Sequence, residues 1–232
     1  MEKSNKFFLI ITIICAILVI GLCAFVIINH KEVKLTDAET FKQEYESYNK
    51  ATYDNDKKVF KVSIDEDNPM VYKTGKEILD VIKKETAIIF FGFATDPNSR
   101  NVIETFLKVA KEEGIEKVYY VDIEDMRDEY EFDGTLIPKQ IKKGSDSYYE
   151  LLDFFGDKLE RYYVPDENGN MYSTSVKRLE AATVITIDKK KIKDMHVGTV
   201  DNHFDVYKKL SKEEKETLTD IYKKLFETFQ EE

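Results

Sequence analysis

A polar loop between an apolar run and a predicted helix carries the residues best placed for chemistry. Asp96, Asn98, Ser99 and Arg100 lie within five positions, and Pro97 directly follows the aspartate. Asp before Pro is a favourable helix start, because the carboxylate accepts a first-turn amide and proline lacks a donor that would stay unpaired. The same side chains can also form a polar recognition patch. As a general base Asp96 is unpromising, since hydrogen bonds and the helix dipole favour its charged form.

Other candidate constellations are weaker. A loop near the C-terminus brings four metal-capable side chains close in sequence, but their spacing matches no zinc pattern. Segment 166–170 resembles a calcium loop, yet its glycine is fourth rather than sixth, and Lys177 occupies the place of the bidentate glutamate. We therefore predict a turn there, and no metal or other cofactor. The four side chains are those of His196, Asp201, His203 and Asp205.

Composition limits the classes of function. The chain has 232 residues, of which 42% are hydrophobic, and a formal net charge of −10. An acidic surface repels phosphate backbones and anionic lipid headgroups, which argues against nucleic-acid binding. Both cysteines, Cys15 and Cys23, lie within residues 7–29, a run of 23 without a charge. Because the polar remainder has no cysteine, a domain held together by disulfides is excluded.

Residues 7–29 are long enough to cross a bilayer, since about 20 residues at 1.5 Å rise span roughly 30 Å. We predict a single transmembrane helix there, between a short tail at 1–6 and a helical stalk at 30–58 that packs lightly on the domain. The alternatives are a cleaved signal peptide, whose apolar region is usually only about 7 to 15 residues, and a lipoprotein signal. Flanking lysines are nearly balanced, and we place the N-terminus inside. The predicted location is the cell membrane, as a single-pass protein with an extracytoplasmic domain.

The pattern of apolar residues predicts alternating strands and helices. Three helices open with capping boxes, at Thr36, Thr74 and Ser211, each with a glutamate three residues later. Early strands joined by helices are parallel and a final hairpin is antiparallel, so we predict a mixed α/β sheet between helices. The predicted strands are 59–64, 87–93, 118–123, 183–187 and 191–197; the predicted helices are 37–49, one after Thr74, 97–113, 147–159 and 211–229.

Several short motifs are weak evidence of a family one by one, but their order and spacing together indicate one. The motifs lie at 67–74, 88–101, 118–123, 177–179 and 196–201, with Tyr207 after them. From about residue 65 to the C-terminus, the chain resembles membrane-anchored or exported thioredoxin-like proteins of Gram-positive bacteria, similar to bacteriocin-transport accessory proteins. The resemblance implies a thioredoxin-like domain at 59–232 with an insertion at about 124–180.

Relatives that resemble active thiol oxidoreductases carry two cysteines where this loop enters the helix. The first is stabilised as a thiolate by unpaired helix amides, and the second resolves the mixed disulfide. Asp96 and Ser99 occupy those positions here. The family's cis-proline corresponds to Ala182, and since a non-proline cis bond costs about 2.5 to 4 kcal/mol, we expect a trans bond between Ala181 and Ala182. The resemblance therefore implies a redox-inactive domain.

The predicted function is that of a membrane-tethered accessory module which binds a protein or an exported peptide at the cell surface and is not an enzyme. One alternative is a residual thiol oxidoreductase or isomerase that works with a partner thiol; another is a structural protein that pairs through its anchor. The bilayer, through 7–29, is a further expected partner. A candidate contact surface lies in the insertion, although packing over the sheet explains its aromatic residues equally well. Its tyrosines are Tyr148, Tyr149, Tyr162 and Tyr163.

Overall fold

The computed structural model describes residue 19 and residues 34–53 and 55–230. Contacts between Cα atoms divide the chain into two units, Met1–Leu35 and Thr36–Glu232. All the helices and strands named below belong to the second unit.

The described residues of this unit form five α-helices and nine strands. The helices are α1 (Asp37–Ser47), α2 (Gly75–Lys84), α3 (Pro97–Glu112), α4 (Asp146–Phe155) and α5 (Lys212–Gln230). The strands are β1 (Met70–Tyr72), β2 (Thr86–Gly92), β3 (Val118–Asp122), β4 (Glu129–Glu131), β5 (Lys139–Lys142), β6 (Arg161–Pro165), β7 (Met171–Lys177), β8 (Thr183–Asp188) and β9 (Lys191–Val197). Short 3-10 turns follow α1 at Tyr48–Lys50 and α4 at Gly156–Lys158.

The central sheet has five strands in the order β1-β3-β2-β8-β9. The first three are parallel, while β8 runs antiparallel to β2 and β9 runs antiparallel to β8. Each parallel connection contains a helix, as a crossover between parallel strands requires. The sheet is therefore mixed, and the predicted hairpin of β8 and β9 is confirmed.

Successive residues of the central strands feed two separate cores, because side chains alternate across a sheet. In β2, Ile88 and Phe90 face a core built with α1, α3 and α5, whereas Ile89 and Phe91 face a core built with α2 and α4. This explains the continuous apolar run in β2, since both faces of the strand are covered.

The predicted fold class needs correction. We predicted a thioredoxin-like mixed sheet with an N-terminal transmembrane helix, and the structure is a mixed α/β domain whose five-stranded sheet is flanked by helices. Across residues 34–53 and 55–230, no helix is both long and apolar enough to span a bilayer. The longest, α5, has 19 residues but carries lysine and glutamate throughout. The predicted span at 7–29 lies outside the described residues, apart from Val19.

The predicted strand at 59–64 is wrong: this segment joins no sheet. Its apolar residues are buried as a strand pattern requires, but side chains replace the partner strand. Asn49 donates from Nδ2 to the Val62 carbonyl at 2.8 Å and accepts the Val62 amide at 2.9 Å. Glu46 and Glu104 accept the amides of Ile64 and Ser63. These backbone groups are thereby satisfied without a ladder.

Helix α1 begins as predicted, with a capping box in which Thr36 and Glu39 bond reciprocally. However, it is not a lightly packed stalk. Phe41 and Tyr45 are fully buried, and the Phe41 ring lies 4.8 Å from that of Tyr120 in the sheet. An apolar face buried to this extent makes α1 part of the domain core.

The insertion at 124–180 contains more regular structure than its sequence suggests. In addition to α4, it forms two hairpins, β4 with β5 and β6 with β7. The turn predicted at 166–170 closes the second hairpin, where Asp166 accepts the amides of Asn168 and Asn170 and Gly169 adopts a φ of 83°. Glycine tolerates this left-handed conformation without a Cβ clash.

Candidate functional site

The loop between β2 and α3 is held tightly against the helix start. Asp96 is the N-cap of α3, and its Oδ2 accepts the Ser99 amide at 2.6 Å. The Ser99 hydroxyl is fully buried and accepts the Phe93 amide at 3.4 Å. A Cβ on Gly92 would approach Ser99 Oγ to 2.7 Å, so the strand end requires a residue without a side chain. The predicted N-cap role of Asp96 is confirmed.

The hydrogen bonds at Asp96 favour its charged form as predicted, but burial has the larger effect on its pKa. Burial raises the pKa of this carboxyl above its ordinary value, and the hydrogen bonds from Ser99 and the charge of Arg127 offset that effect only in part. The residues at the helix start do not reveal the desolvation that the folded surroundings impose on this carboxyl.

Replacing Asp96 by asparagine should stabilise the protein at neutral pH. Folding raises the pKa of this carboxyl. Its contribution to the stability of the protein therefore falls as the pH rises from the ordinary pKa, near 3.8, through the raised pKa. Asparagine keeps the N-cap without that loss, since the two residues cap helices about equally well. Denaturant unfolding between acidic and neutral pH should show an advantage for Asp96→Asn that disappears below the ordinary range. Asp96→Ala removes both the carboxyl and the cap, so it should be about 1 kcal/mol less stable than Asp96→Asn at every pH. A wild type more stable than Asp96→Asn at neutral pH would contradict this prediction.

Arg100 lies within the domain rather than on a recognition surface, with only 2% of its area exposed. Its Nε donates to Phe60 O, one terminal nitrogen donates to Tyr45 O and Ala94 O, and the other donates to Asn49 Oδ1, all at 2.7 to 2.8 Å. Burial lowers the pKa of the guanidinium. Arg100 therefore ties α1, the extended segment 59–64 and the loop together.

The residues before β8 face this loop. Asn98 donates from Nδ2 to the Ala181 carbonyl at 3.4 Å. The bond between Ala181 and Ala182 is cis, so the expected trans bond is wrong. That expectation weighed only the intrinsic preference of an isolated bond, whereas both alanines are buried here and Gly198 donates its amide to Ala182 O at 2.7 Å. Of the five predicted site residues, Asp96, Pro97 and Asn98 are partly exposed, while Ser99 and Arg100 are buried.

Two further carboxyls lie near the same end of the sheet and were missed. Burial raises the pKa of Glu44 in α1 and of Asp122 at the end of β3. The Tyr72 hydroxyl donates a short hydrogen bond to Glu44. The position of Asp122 was a usable signal, because the carboxyl ends of parallel strands meet at one edge. Perturbed carboxyls gathered at a strand end are typical of functional sites.

Basic side chains from the insertion border the loop and were also missed. The Arg127 guanidinium lies over the Phe93 ring, 4.6 Å from its centroid, and its charge favours the ionised form of Asp96. Arg178 stacks 4.0 Å from the Tyr162 centroid and lies 3.7 Å from Glu180. No local sequence pattern brings residues so far from the loop beside it.

The metal-capable residues near the C-terminus have other partners. His196 bonds through Nε2 to Thr199 O at 2.7 Å, and burial lowers its pKa. His203 lies between Glu214 Oε1 at 3.0 Å and Lys208 O at 2.9 Å. In the described part of the chain, no three histidine, cysteine or acidic side chains are grouped as a metal ion would need.

Glu214 links that loop to the start of α5. It accepts the Ser211 amide at 2.6 Å and contacts His203. These hydrogen bonds lower the pKa of Glu214 to about 2, and the bond from the Ser211 amide has the largest effect. A depressed carboxyl pKa stabilises the fold above the ordinary value, and this contribution is lost as the pH falls through about 2. Glu214→Gln should therefore lower the melting temperature at neutral pH, by an amount that shrinks towards pH 2 in thermal scans. Glu227→Gln, which removes the same charge on the exposed face of the same helix, is the control.

The tyrosines of the insertion do not form one exposed surface. Tyr148 is fully buried, and its hydroxyl accepts the Leu179 amide at 3.2 Å. Tyr149 and Tyr162 are partly covered, and Tyr163 is 45% exposed. The position of Tyr148 is therefore explained by packing over the sheet, which was the alternative to a contact surface.

Comparison with known proteins identifies no relative. No protein-family model, no curated protein and no solved structure matches the chain.

Proposed function

We propose that this chain contains a thioredoxin-like, redox-inactive domain that binds a protein or peptide segment beside the loop at 95–98. The observation that carries the proposal is the hydrogen bond from Asn98 to the Ala181 carbonyl, which joins that loop to the segment before β8. By the resemblance, Asp96 and Ser99 occupy the places of a thiol pair in this loop.

The order of elements along the chain supports the proposal. A β-α-β-α-β unit with parallel strands, then the insertion, an antiparallel hairpin and a last helix, is the kind of element order on which the resemblance rests. The loop at 92–101 follows the central strand β2, as the active-site loop of such proteins does. Fold resemblance alone says nothing about activity, so the site must carry the function.

The chemistry of the loop supports binding without redox exchange. Residues 30–232 contain no cysteine, and neither a carboxylate nor a hydroxyl can form or exchange a disulfide. Asp96, Pro97 and Asn98 are partly exposed, with Arg127 and Glu180 beside them. Charges of both signs around a small polar platform suit a peptide backbone and its polar side chains.

Site-specific crosslinking tests the proposed surface. A photoreactive amino acid at Asn98 in the full chain should yield a discrete adduct with another protein in cells that produce it. The same group at Lys83, on the exposed face of α2, is the matched control and should yield none. No adduct from Asn98, or the same adducts from both positions, would contradict the proposal.

Insulin reduction separates the proposal from the thiol-dependent alternative. The full chain with Cys15→Ser and Cys23→Ser should give no turnover, because its loop has no thiol to attack a disulfide. Turnover that appears only when glutathione is added would favour the residual oxidoreductase. Turnover without any added thiol would overturn redox inactivity.

A further inference from the structure

The two hairpins of the insertion pack side by side and border a cavity. Tyr130 pairs with Tyr162 at 5.7 Å between ring centroids, and Phe132 pairs with Tyr172 at 4.3 Å. Because each pair takes one ring from each hairpin region, the rings hold the hairpins together. The cavity, of about 840 Å³, is lined by residues 130–134 and 164–168 and is named here the hairpin cleft. Its volume is in the range that accommodates a ligand or a few side chains.

The lining of the hairpin cleft is acidic and includes no lysine or arginine. Its four carboxylates are those of Glu131, Asp133, Asp166 and Glu167. None of them is in a salt bridge among the described residues, although Lys139 lies opposite Glu131 in the first hairpin and its charge helps to lower the pKa of Asp133. Hydrogen bonds from Thr135 hold the pKa of Asp133 below its ordinary value. Those from Asn170 do the same for Asp166, so both stay charged at neutral pH.

Large apolar side chains are exposed beside the cleft. Leu136 and Ile137 lie two and three residues after Gly134, which lines the cleft, and are 85% and 65% exposed. Met171 is 59% exposed and pairs across its hairpin with Pro165, which lines the cleft. Apolar side chains exposed beside an acidic cavity are costly in water and typical of an interaction surface.

We propose that the hairpin cleft binds a cationic, apolar peptide segment, whose lysine or arginine side chains meet the four carboxylates and whose apolar side chains cover Leu136, Ile137 and Met171. Charge complementarity selects this occupant. An anionic partner is repelled by the cleft and by the net charge of −10. A symmetric contact with a second copy would bring like charges together. The cleft shares no residue with the loop at Asp96, so the inference goes beyond the function proposed above.

Fluorescence anisotropy with the full chain tests the partner class. Three short labelled peptides serve as probes: alternating lysine and leucine, alternating glutamate and leucine, and alternating lysine and serine. We expect the lysine-leucine peptide to bind at least about tenfold more tightly than either of the others, and its affinity to fall as salt is added. Equal binding of the glutamate-leucine peptide would overturn the proposal, because the cleft would then not select for positive charge. Equal binding of the lysine-serine peptide would also overturn it, because the cleft would then not select for apolar side chains.

Matched variants locate the binding. Glu131→Gln combined with Glu167→Gln should weaken binding of the lysine-leucine peptide by about fivefold or more. Leu136→Ser combined with Ile137→Ser should weaken it as well, without any change in charge. Asp220→Asn with Glu227→Gln alters the net charge equally on an exposed face of α5 and should leave the affinity within about twofold.

Two results would overturn the cleft assignment. One is equal loss in the α5 control, which would mean attraction to the whole acidic protein. The other is concentration-dependent self-association that Leu136→Ser with Ile137→Ser abolishes, which would assign the apolar side chains to a second copy. Crosslinking from Asn98 is a separate readout, so the cleft and the loop at Asp96 can fail independently.

Discussion

Replacing Arg100 by methionine should lower the free energy of unfolding by about 3 to 5 kcal/mol. The guanidinium donates to three backbone carbonyls and one side-chain oxygen in a region closed to water. Methionine fills much of the volume but donates nothing, so the carbonyls of Tyr45, Phe60 and Ala94 lose this donor. A buried acceptor left unpaired costs about 1 to 3 kcal/mol, and partial entry of water reduces the total.

Urea unfolding of the full chain measures this effect. Arg161→Met is the control, because Arg161 is exposed and its change should stay within about 0.5 kcal/mol. Arg100→Lys should recover only part of the loss, since one ammonium cannot reach acceptors that a planar guanidinium spans. Hydrogen exchange should also speed up at Val62 and Ile64, whose segment Arg100 ties to the helix. A loss below about 1 kcal/mol in Arg100→Met would show that Arg100 is not a structural tie.

Helices whose start is encoded locally could be predicted from the sequence. The capping boxes at Thr36 and Thr74 are both present with reciprocal bonds, and Ser211 bonds with Glu214 as predicted. These interactions span three residues, so the sequence contains both partners. Asp96 as N-cap belongs to the same class, which is why its structural role was predictable.

Interactions between distant parts of the chain could not be predicted in this way. The alternation at 59–64 indicated burial correctly, yet the groups that satisfy its backbone come from Glu46, Asn49 and Glu104. No periodicity distinguishes a partner strand from such side chains. The short strand β1 at Met70–Tyr72 was missed for a related reason, since three residues show too little pattern.

The properties of the candidate site depend on the same distant contacts. Burial raises the pKa of Asp96 above its ordinary value, and among the charges of the insertion Arg127 lowers this pKa while Glu180 raises it. The cleft likewise needs two hairpins that approach each other from separate parts of the insertion. A sequence gives the types of these side chains but not their proximity, so local rules predicted the loop and missed its surroundings.

Replacing Phe41 by alanine should destabilise the protein by about 3 to 5 kcal/mol, which separates a core helix from a stalk. Phe41 is fully buried, and its ring lies 4.5 Å from that of Tyr45 and 4.8 Å from that of Tyr120. Alanine removes these contacts and leaves a cavity between α1 and the sheet, whereas Phe41→Leu keeps most of the volume and should cost about 1.5 kcal/mol or less. Tyr48→Ala, at a ring that is 37% exposed in the turn after α1, should cost less than about 1 kcal/mol. Urea unfolding compares the three variants, and equal small losses for Phe41→Ala and Tyr48→Ala would mean that α1 packs as lightly as a stalk. A loss of about 3 to 5 kcal/mol in Phe41→Ala would place the start of the domain at Thr36, because α1 would then be a necessary part of the packed core.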